Sequence, residues 1–400
     1  MKILLVHNFY GSSAPSGENM VYLAEKALLE RNGHEVIEFV RYSDAIRAQG
    51  AWGAVKGALS TPWNPYSHAA VLRIIERENP DLMHVHNVFP MISPSIFSAA
   101  AARKVAVVLT LHNYRTVCAA GIPMRDGVPC TKCLEEKSVW PAIRYGCYRK
   151  SRLATLPLAA SISIHRKLGT WLKHVDAFVA LTEFQRDMLV RSGLPSSRIH
   201  IKPHFYEGPP CPKVWDEREN KVVFVGRLRE EKGVCYLVEA WLRWGMDVPV
   251  LEVIGDGPQR NELERLAKPI GNRVRFLGQL PFAETQERIA ASRLLVLPSI
   301  CFEGFPMVIR EAYALGVPVA ASRLGSIQNL VEEGGTGSLF ESGSSEELLG
   351  CVKGLWKNQQ ELKRMAFASR AKFECSYTSA TNHRRLMDIY DAAIERRRSK

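Results

Sequence analysis

The stretch Lys221-Val-Val-Phe-Val-Gly-Arg-Leu-Arg-Glu-Glu-Lys-Gly233 constrains the fold of this chain most. A β-branched run stops at Gly226, Arg227 and Lys232 follow, and after Gly233 the residues Val234, Leu237, Val238 and Trp241 recur at helical spacing. A short buried strand that feeds a helix through a glycine turn is half of a βαβ unit, and such units build parallel sheets covered by helices. The pattern repeats. Val250-Leu-Glu-Val-Ile-Gly-Asp-Gly-Pro258 is again a strand ending in a tight turn, and Arg293-Leu-Leu-Val-Leu-Pro298 precedes a helix over Val308 to Leu315. The N-terminal half opens with a strand at Lys2 to Val6, a helix from about Asn19 to Arg31 and a strand from Gly33 to Val40. Asp81 to His86, Val105 to Leu111 and Ala177 to Leu181 are further strands, each ending in polar residues where a site could form. The least periodic, most proline-rich segment is Pro203 to Pro212, which sets the domain boundary there. The expected fold class is α/β, with two doubly wound domains over residues 1–205 and 206–375 and a last helix within 376–400.

The strand ends carry the chemistry. Arg227 and Lys232 stand at a strand's carboxyl end beside a helix start, an arrangement that clamps a diphosphate. In Cys301-Phe-Glu-Gly-Phe-Pro-Met-Val-Ile-Arg-Glu311, Glu303 lies in a loop marked by Gly304 and Pro306, and Glu311 about two turns into the helix. Carboxylates that accept from hydroxyls suit a sugar or a ribose better than a bare phosphate. A solvated helix face carrying two glutamates is the plain alternative for this stretch alone.

These motifs, in this order, resemble the retaining glycosyltransferases of family 4, whose fold is called GT-B. The resemblance runs from Lys2 to near Phe373, and its most specific part is the Glu-x7-Glu stretch from Glu303 to Glu311. It implies two Rossmann-like domains facing a central cleft, an N-terminal acceptor domain, a C-terminal donor domain, and a last helix that returns to brace the first. It further implies that Glu303 contacts donor-sugar hydroxyls, that Glu311 holds the ribose and that Arg227 and Lys232 bind the diphosphate. The backbone at Gly304, Phe305 and Pro306 would approach the sugar and its phosphate, with the helix start at Met307 and Val308 beside the leaving charge. Val274-Arg-Phe-Leu-Gly-Gln-Leu280 matches the base-facing strand and loop, and Gly226 the turn before the clamp. His112, in Thr110-Leu-His-Asn113, matches a histidine that faces the donor sugar. The loop from Asn8 to Glu18 would cap the donor phosphate through Gly17, although a plain connecting loop fits as well.

The expected reaction transfers a sugar from a nucleoside diphosphate to a hydroxyl of a glycan or lipid-linked glycan, with attack on the face from which the nucleotide leaves. A non-catalytic nucleotide-sugar-binding or scaffold protein of the same fold is the alternative. The sequence has no Asp-x-Asp, and paired cations can neutralise the leaving charge, so no catalytic metal or other cofactor is expected. A dehydrogenase is disfavoured because no Gly-x-Gly-x-x-Gly follows an early strand.

His84 and His86 sit on one strand and are expected to face opposite sides, one of them packing only. Four of nine cysteines, Cys118, Cys130, Cys133 and Cys147, fall in the loop over residues 114–150, which has little hydrophobic periodicity. A cytosolic compartment disfavours disulfides, which leaves a structural zinc and unliganded thiols equally open. No run reaches the roughly 18 to 20 apolar residues of a membrane span, so the chain is expected in the cytoplasm. Of the formal net charge of +12, residues 1–205 carry +10 and residues 206–400 only +2. The basic segment Arg144 to Arg152, before apolar Leu153 to Ile164, fits either an anionic membrane surface on the inner face or a solvated face leading into a core helix. No nucleic-acid-binding pattern accompanies the charge.

Overall fold

A computed structural model describes residues 1–11, 16–208, 210–245 and 247–400. Residues 12–15 of the first loop, and Pro209 in the proline-rich segment, lie outside that description. The chain forms two compact units. The first comprises residues 1–123, 130–203 and 382–400, and the second residues 124–129 and 204–381.

The first unit is built on β1 (Lys2–Phe9), β2 (Glu35–Tyr42), β3 (Leu82–Val85) and β4 (Ala106–Thr110). A two-stranded hairpin of β5 (Met124–Arg125) and β6 (Val128–Pro129) follows and groups with the second unit. Then come β7 (Ala177–Ala180) and β8 (Ile199–Ile201). The six long strands are all parallel, in the order β2-β1-β3-β4-β7-β8. Both faces of β3, β4 and β7 are buried, which is why these strands read as unbroken apolar runs rather than as alternations.

Three helices of this unit matter below: α1 (Gly17–Arg31), α2 (Gly50–Ser60) and α3 (Arg152–Leu168). On α1 the residues Val21, Tyr22, Ala24, Glu25, Leu28 and Leu29 face inward, a stripe of helical period with one carboxylate in it.

The second unit holds β9 (Lys221–Val225), β10 (Val250–Ile254), β11 (Val274–Gly278), β12 (Leu294–Leu297), β13 (Val319–Ser322) and β14 (Gly337–Phe340). They form a parallel sheet in the order β11-β10-β9-β12-β13-β14. Its core gathers Val222 and Phe224 of β9, Leu251 and Val253 of β10 and Val296 of β12 with Leu237, Val238 and Trp241 of α4 (Val234–Trp244). The helix α5 (Met307–Ala314) follows β12, within a residue of the expected Val308 to Leu315.

The chain ends in α6 (Ser379–Arg398). Leu386, Ile389, Tyr390 and Ala393 of α6 are spaced for one face and join Ile3, Leu82, Ala106, Val108 and Val179 in a single apolar cluster. Burying a leucine or isoleucine contributes on the order of 2 kcal/mol. Arg397 adds an ion pair to buried Asp176 at 2.7 Å, whose carboxylate also accepts from the backbone N–H of Val107.

In each sheet the strand order reverses once, between β1 and β3 in the first and between β9 and β12 in the second. Loops leaving the carboxyl ends of such neighbouring strands diverge and leave a crevice, the usual seat of a ligand in doubly wound folds.

Candidate functional site

The crevice of the second unit is closed tightly by backbone. Gly233 has φ +64°, and a Cβ on it would lie 2.1 Å from the carbonyl oxygen of Pro298, just past β12. The β9–α4 loop can therefore cross the end of β12 only because residue 233 is glycine. That crossing brings Lys232 against the loop after β12. The Nζ of Lys232 donates to Oε1 of Glu303 at 2.6 Å, and the hydroxyl of Ser299 donates to the same oxygen at 2.7 Å. Burial alone would raise the Glu303 carboxyl, but Lys232, Ser299 and Arg227 outweigh it and hold it below the usual range. Burial would lower the Lys232 ammonium, and Glu303 reverses that, so it is raised. Arg227, after Gly226 at the end of β9, is exposed.

Glu311 lies on α5, five residues from Pro306 at its start, where no side chain caps the first N–H groups. One oxygen of Glu311 accepts from the amide of Gln286 at 3.3 Å, and the other lies 4.0 Å from Arg310. Burial dominates here and leaves the carboxyl raised in spite of both neighbours. Burial also lowers the Arg310 guanidinium, to about 10. The side chains of Phe305, Pro306 and Val308 are buried, Phe305 edge-on against His204, so these residues can offer a ligand backbone rather than side chain. Gly304, Met307 and Leu280 are half-buried.

In the first unit, His112 stands two residues past β4, with its Nε2 3.0 Å from Nδ1 of His86. Both line a pocket with Asn87, Phe89, Phe97, Leu158 and Trp171. Asn113, next in the chain, donates to Glu18 of α1 at 2.6 Å. Gly17 is the exposed first residue of α1.

One expectation needs correction. His84 and His86 do not face opposite sides: their ring centroids are 4.5 Å apart and both lie near Oε1 of Glu25. Side chains alternate along a strand with period two, so positions two apart share a face. The four loop cysteines, for which a zinc site and unliganded thiols are both open, lie within electrostatic reach of one another, Cys118 of Cys133 and Cys147, and Cys133 of Cys130 and Cys147. Among the described residues, the groups that bring three ligating atoms within 4.8 Å of one another are confined to Glu25, His84 and His86. Cys133 and Cys147 pack against Ala119, Ala142, Leu158 and Ile162, and burial pushes the Cys118 thiol up to about 11. The loop is held by apolar contact with α3.

The cluster at Glu25 was not foreseen. Its Oε2 accepts from Nζ of Lys202 at 2.6 Å, so the position a metal ion would neutralise already holds a cation. Both nitrogens of His84 are engaged, by the hydroxyls of Tyr390 at 2.7 Å and Thr110 at 2.8 Å.

Two family models match the chain, Glycosyltransferase Family 4 over residues 17–206 and Glycosyl transferases group 1 over residues 219–358. The sulfoquinovosyl transferase SQD2 of Arabidopsis thaliana is 27% identical over 344 residues, which are 82% of this chain and 61% of the plant protein. The alpha-D-kanosaminyltransferase of Streptomyces kanamyceticus is 28% identical over 237 residues, 55% of this chain and 61% of that protein. The chain thus spans less than two thirds of the length of either relative. Among solved structures, HepE of Anabaena in complex with UDP superposes with a TM-score of 0.67 at 18% identity, over 98% of this chain and 100% of that one. Sucrose-phosphate synthase of Thermosynechococcus elongatus gives 0.68 at 17% identity, over 98% of both. At such identities the likeness is one of fold: two parallel-sheet Rossmann-like domains.

Proposed function

We propose, for a chain that resembles glycosyltransferase family 4 in both halves, a retaining transfer of a sugar from a nucleoside diphosphate to a hydroxyl of a glycan or lipid-linked glycan. The observation that carries the reading is the juxtaposition of Lys232 and Glu303 at the strand-order reversal of the second sheet. One crevice there offers a cation for phosphate, a carboxylate for hydroxyls, and the uncapped start of α5 for a developing negative charge. On this reading the second unit binds the donor and the first the acceptor.

Lys232 and Arg227 take the diphosphate, Glu303 fixes the sugar hydroxyls and Glu311 the ribose. The acceptor oxygen attacks the anomeric carbon from the side on which the phosphate departs. As the bond to the leaving oxygen lengthens, that oxygen gains charge and takes the acceptor's proton, while Lys232, Arg227 and the N–H groups at Met307 and Val308 stabilise it. The chemistry then needs orientation and charge, both within reach of these side chains. UDP is the first nucleotide to try, because HepE, of like fold, is solved with it.

An anionic membrane surface fits the first unit as the place where a lipid-linked acceptor is met. Trp52, Val55 and Leu59 are exposed along α2, Leu153 and Leu168 along α3, and Lys56, Arg149, Lys150 and Arg152 are exposed around them. No helix among the described residues is long and apolar enough to cross a membrane. Co-sedimentation with phosphatidylglycerol vesicles, strong at low salt and lost at high salt or in Trp52→Ser/Leu59→Ser, is the expected result; equal binding to neutral vesicles would remove the electrostatic part.

The experiment for the main reading is calorimetric titration with UDP, GDP, ADP and dTDP, each with and without its sugar, in metal-free buffer. Saturable binding of one nucleotide, followed by slow release of its sugar, is expected. Binding without turnover toward any hydroxyl acceptor would favour a scaffold, and no binding at all would remove the clamp.

A further inference from the structure

Four elements of the first unit deliver a chain of charged and imidazole groups that ends at His112, and the transfer chemistry above leaves the groups behind His112 unused. Glu25 on α1, His86 directly after β3 and Lys202 directly after β8 are all buried, and His112 after β4 completes the chain. Lys202 Nζ donates to Oε2 of Glu25 at 2.6 Å and to Oδ1 of Asn382 at 3.2 Å. Oε1 of Glu25 lies 3.1 Å from Nε2 of His86, and Nδ1 of His86 lies 3.0 Å from Nε2 of His112. The rings of His86 and His112 stack, 5.1 Å between centroids and 23° between planes.

Stability alone does not call for this arrangement. Two charges removed from water lose more solvation than a well-packed apolar pair would, so a buried ion pair is poor evidence of a stabilising role. His84 has its two nitrogens spent on Tyr390 and Thr110 and serves as packing. His86 is placed differently, between a carboxylate and a second imidazole. Burial would raise the Glu25 carboxyl, but Lys202, His86 and His84 together hold it well below the usual range, so it stays a carboxylate.

We infer that Glu25, held by Lys202, is a positioning residue for His112 and acts through His86. The inference rests on the proposed sugar transfer, with His112 in the role that the family resemblance implies, facing the donor sugar. Neither Oε1 of Glu25 nor Nε2 of His86 completes a hydrogen bond of ordinary angle, so the link between them is charge at 3.1 Å. A carboxylate at that distance favours a proton on Nε2 of His86. In the Nε2–H form His86 presents Nδ1 as an acceptor, to which the Nε2–H of His112 can donate across the 3.0 Å between them. Neutral His112 is thereby set as the Nε2–H tautomer, whose Nδ1 accepts a hydrogen bond rather than donating one. A buried carboxylate that sets the tautomer of a working histidine through its far nitrogen is a general device, here with one more ring in the line.

The test uses the double variant Glu25→Gln/Lys202→Met, which removes the ion pair as a unit and strands no charge, with Glu25→Asp and His86→Asn as milder changes should the double variant not fold. Long-range nitrogen–proton spectra of protein carrying labelled histidine report the tautomer of His112, assigned by its loss in His112→Ala. Expected are the Nε2–H tautomer in the wild-type protein and a mixture in the variants. Where a donor has been found by titration, kcat is expected to fall 10- to 100-fold with KM for the donor within threefold. His86→Asn, which keeps an acceptor near the place of Nδ1, should recover part of kcat.

A folded variant with unchanged tautomer and kcat within twofold of wild type would overturn the inference. Stoichiometric Zn²⁺ binding lost on removing Glu25 would also overturn it, by making the cluster a metal site. If His112→Ala transfers sugar normally, the role given to His112 fails, while the tautomer measurement still decides whether Glu25 sets it.

Discussion

The ammonium of Lys232 lies 2.6 Å from Oε1 of Glu303, in a crevice where each side chain is less than a fifth exposed. The two groups proposed for two different parts of one ligand are, without it, paired with each other. A diphosphate takes over the cation and a hydroxyl donates to the carboxylate, so each group changes partner rather than losing one. The pair therefore keeps both groups ionised and in place until a donor arrives.

Breaking the pair on one side should cost more than removing it. Lys232→Met strands the Glu303 carboxylate with Ser299 and the more distant Arg227, and is expected to lose about 2–3 kcal/mol, less than a fully buried pair would. Adding Glu303→Gln should recover most of that loss in urea unfolding at neutral pH. Glu303 is held below its ordinary range, so the wild-type advantage is present above about pH 4.3 and is lost as pH falls through the folded-state value. Neither variant should bind UDP within tenfold of wild type. A single variant as stable as wild type at pH 7 would show that the pair contributes nothing.

Glu311 is shifted the other way, and this gives ligand binding a pH signature. Burial raises its carboxyl above the ordinary range, so protonation begins at a milder pH than for a surface glutamate. A carboxylate accepts from two ribose hydroxyls, whereas the neutral acid offers one acceptor fewer. UDP affinity should thus decline as pH falls toward that raised value. In Glu311→Gln it should be roughly 10- to 100-fold weaker at pH 8, the worth of hydrogen bonds to a charged group. The ratio of the two affinities should shrink as pH falls, because the titration of UDP itself cancels between them. A ratio constant from pH 8 to pH 5 would remove Glu311 from the ribose site.

What could be read without coordinates was what is local. Lys232 and Glu303 are 71 positions apart, yet each carries its own signature, a strand end followed by a glycine or proline turn and a helix, so each marks the sheet edge by itself. Glu25 and Lys202 are 177 apart and carry none. A signal for Glu25 did exist: it falls on the inward stripe of α1, between Val21 and Leu28, where a carboxylate requires a buried partner. His86 was within reach of the sequence, because positions two apart on a strand share a face and that puts it beside His84. The cysteine loop, by contrast, was opaque. Its support is α3, an element later in the chain, and apolar contact leaves no spacing rule behind.

Gly233 offers a test of how the crevice is built. Alanine there must adopt φ near +64° and place its Cβ 2.1 Å from the Pro298 oxygen, which is backbone and cannot swing aside. Gly233→Ala is expected to lose at least ~2 kcal/mol, from left-handed strain plus displacement of the loop. Because Lys232 precedes it, UDP affinity should fall at least tenfold as well. Gly350→Ala is the control, since it lies inside the helix Ser345–Lys357 with nothing within 4 Å of a new Cβ. That variant should gain about 0.5–1 kcal/mol. Equal effects at the two positions would mean that the close approach at Gly233 is not a constraint.

Acid should weaken the first unit through His7. Its ring is fully buried, stacked on Tyr22 at 4.6 Å, with Nε2 2.9 Å from the side-chain oxygen of Asn19. Burial lowers it from an ordinary 6.5 to about 3, with Asn19 opposing and His86 assisting. The unfolded chain thus binds a proton below about pH 6.5 that the folded chain refuses until about pH 3, and stability falls as pH drops through that window. The slope is at most ~1.4 kcal/mol per pH unit for this one group. His7→Gln keeps a polar atom near Asn19 but cannot titrate. The difference between wild-type and variant unfolding free energies should therefore move against the wild type by roughly 2 kcal/mol between pH 6.5 and 4.5, while the carboxylates common to both cancel. A difference that stays flat across that range would place the titration of His7 near its ordinary value and its ring in contact with water.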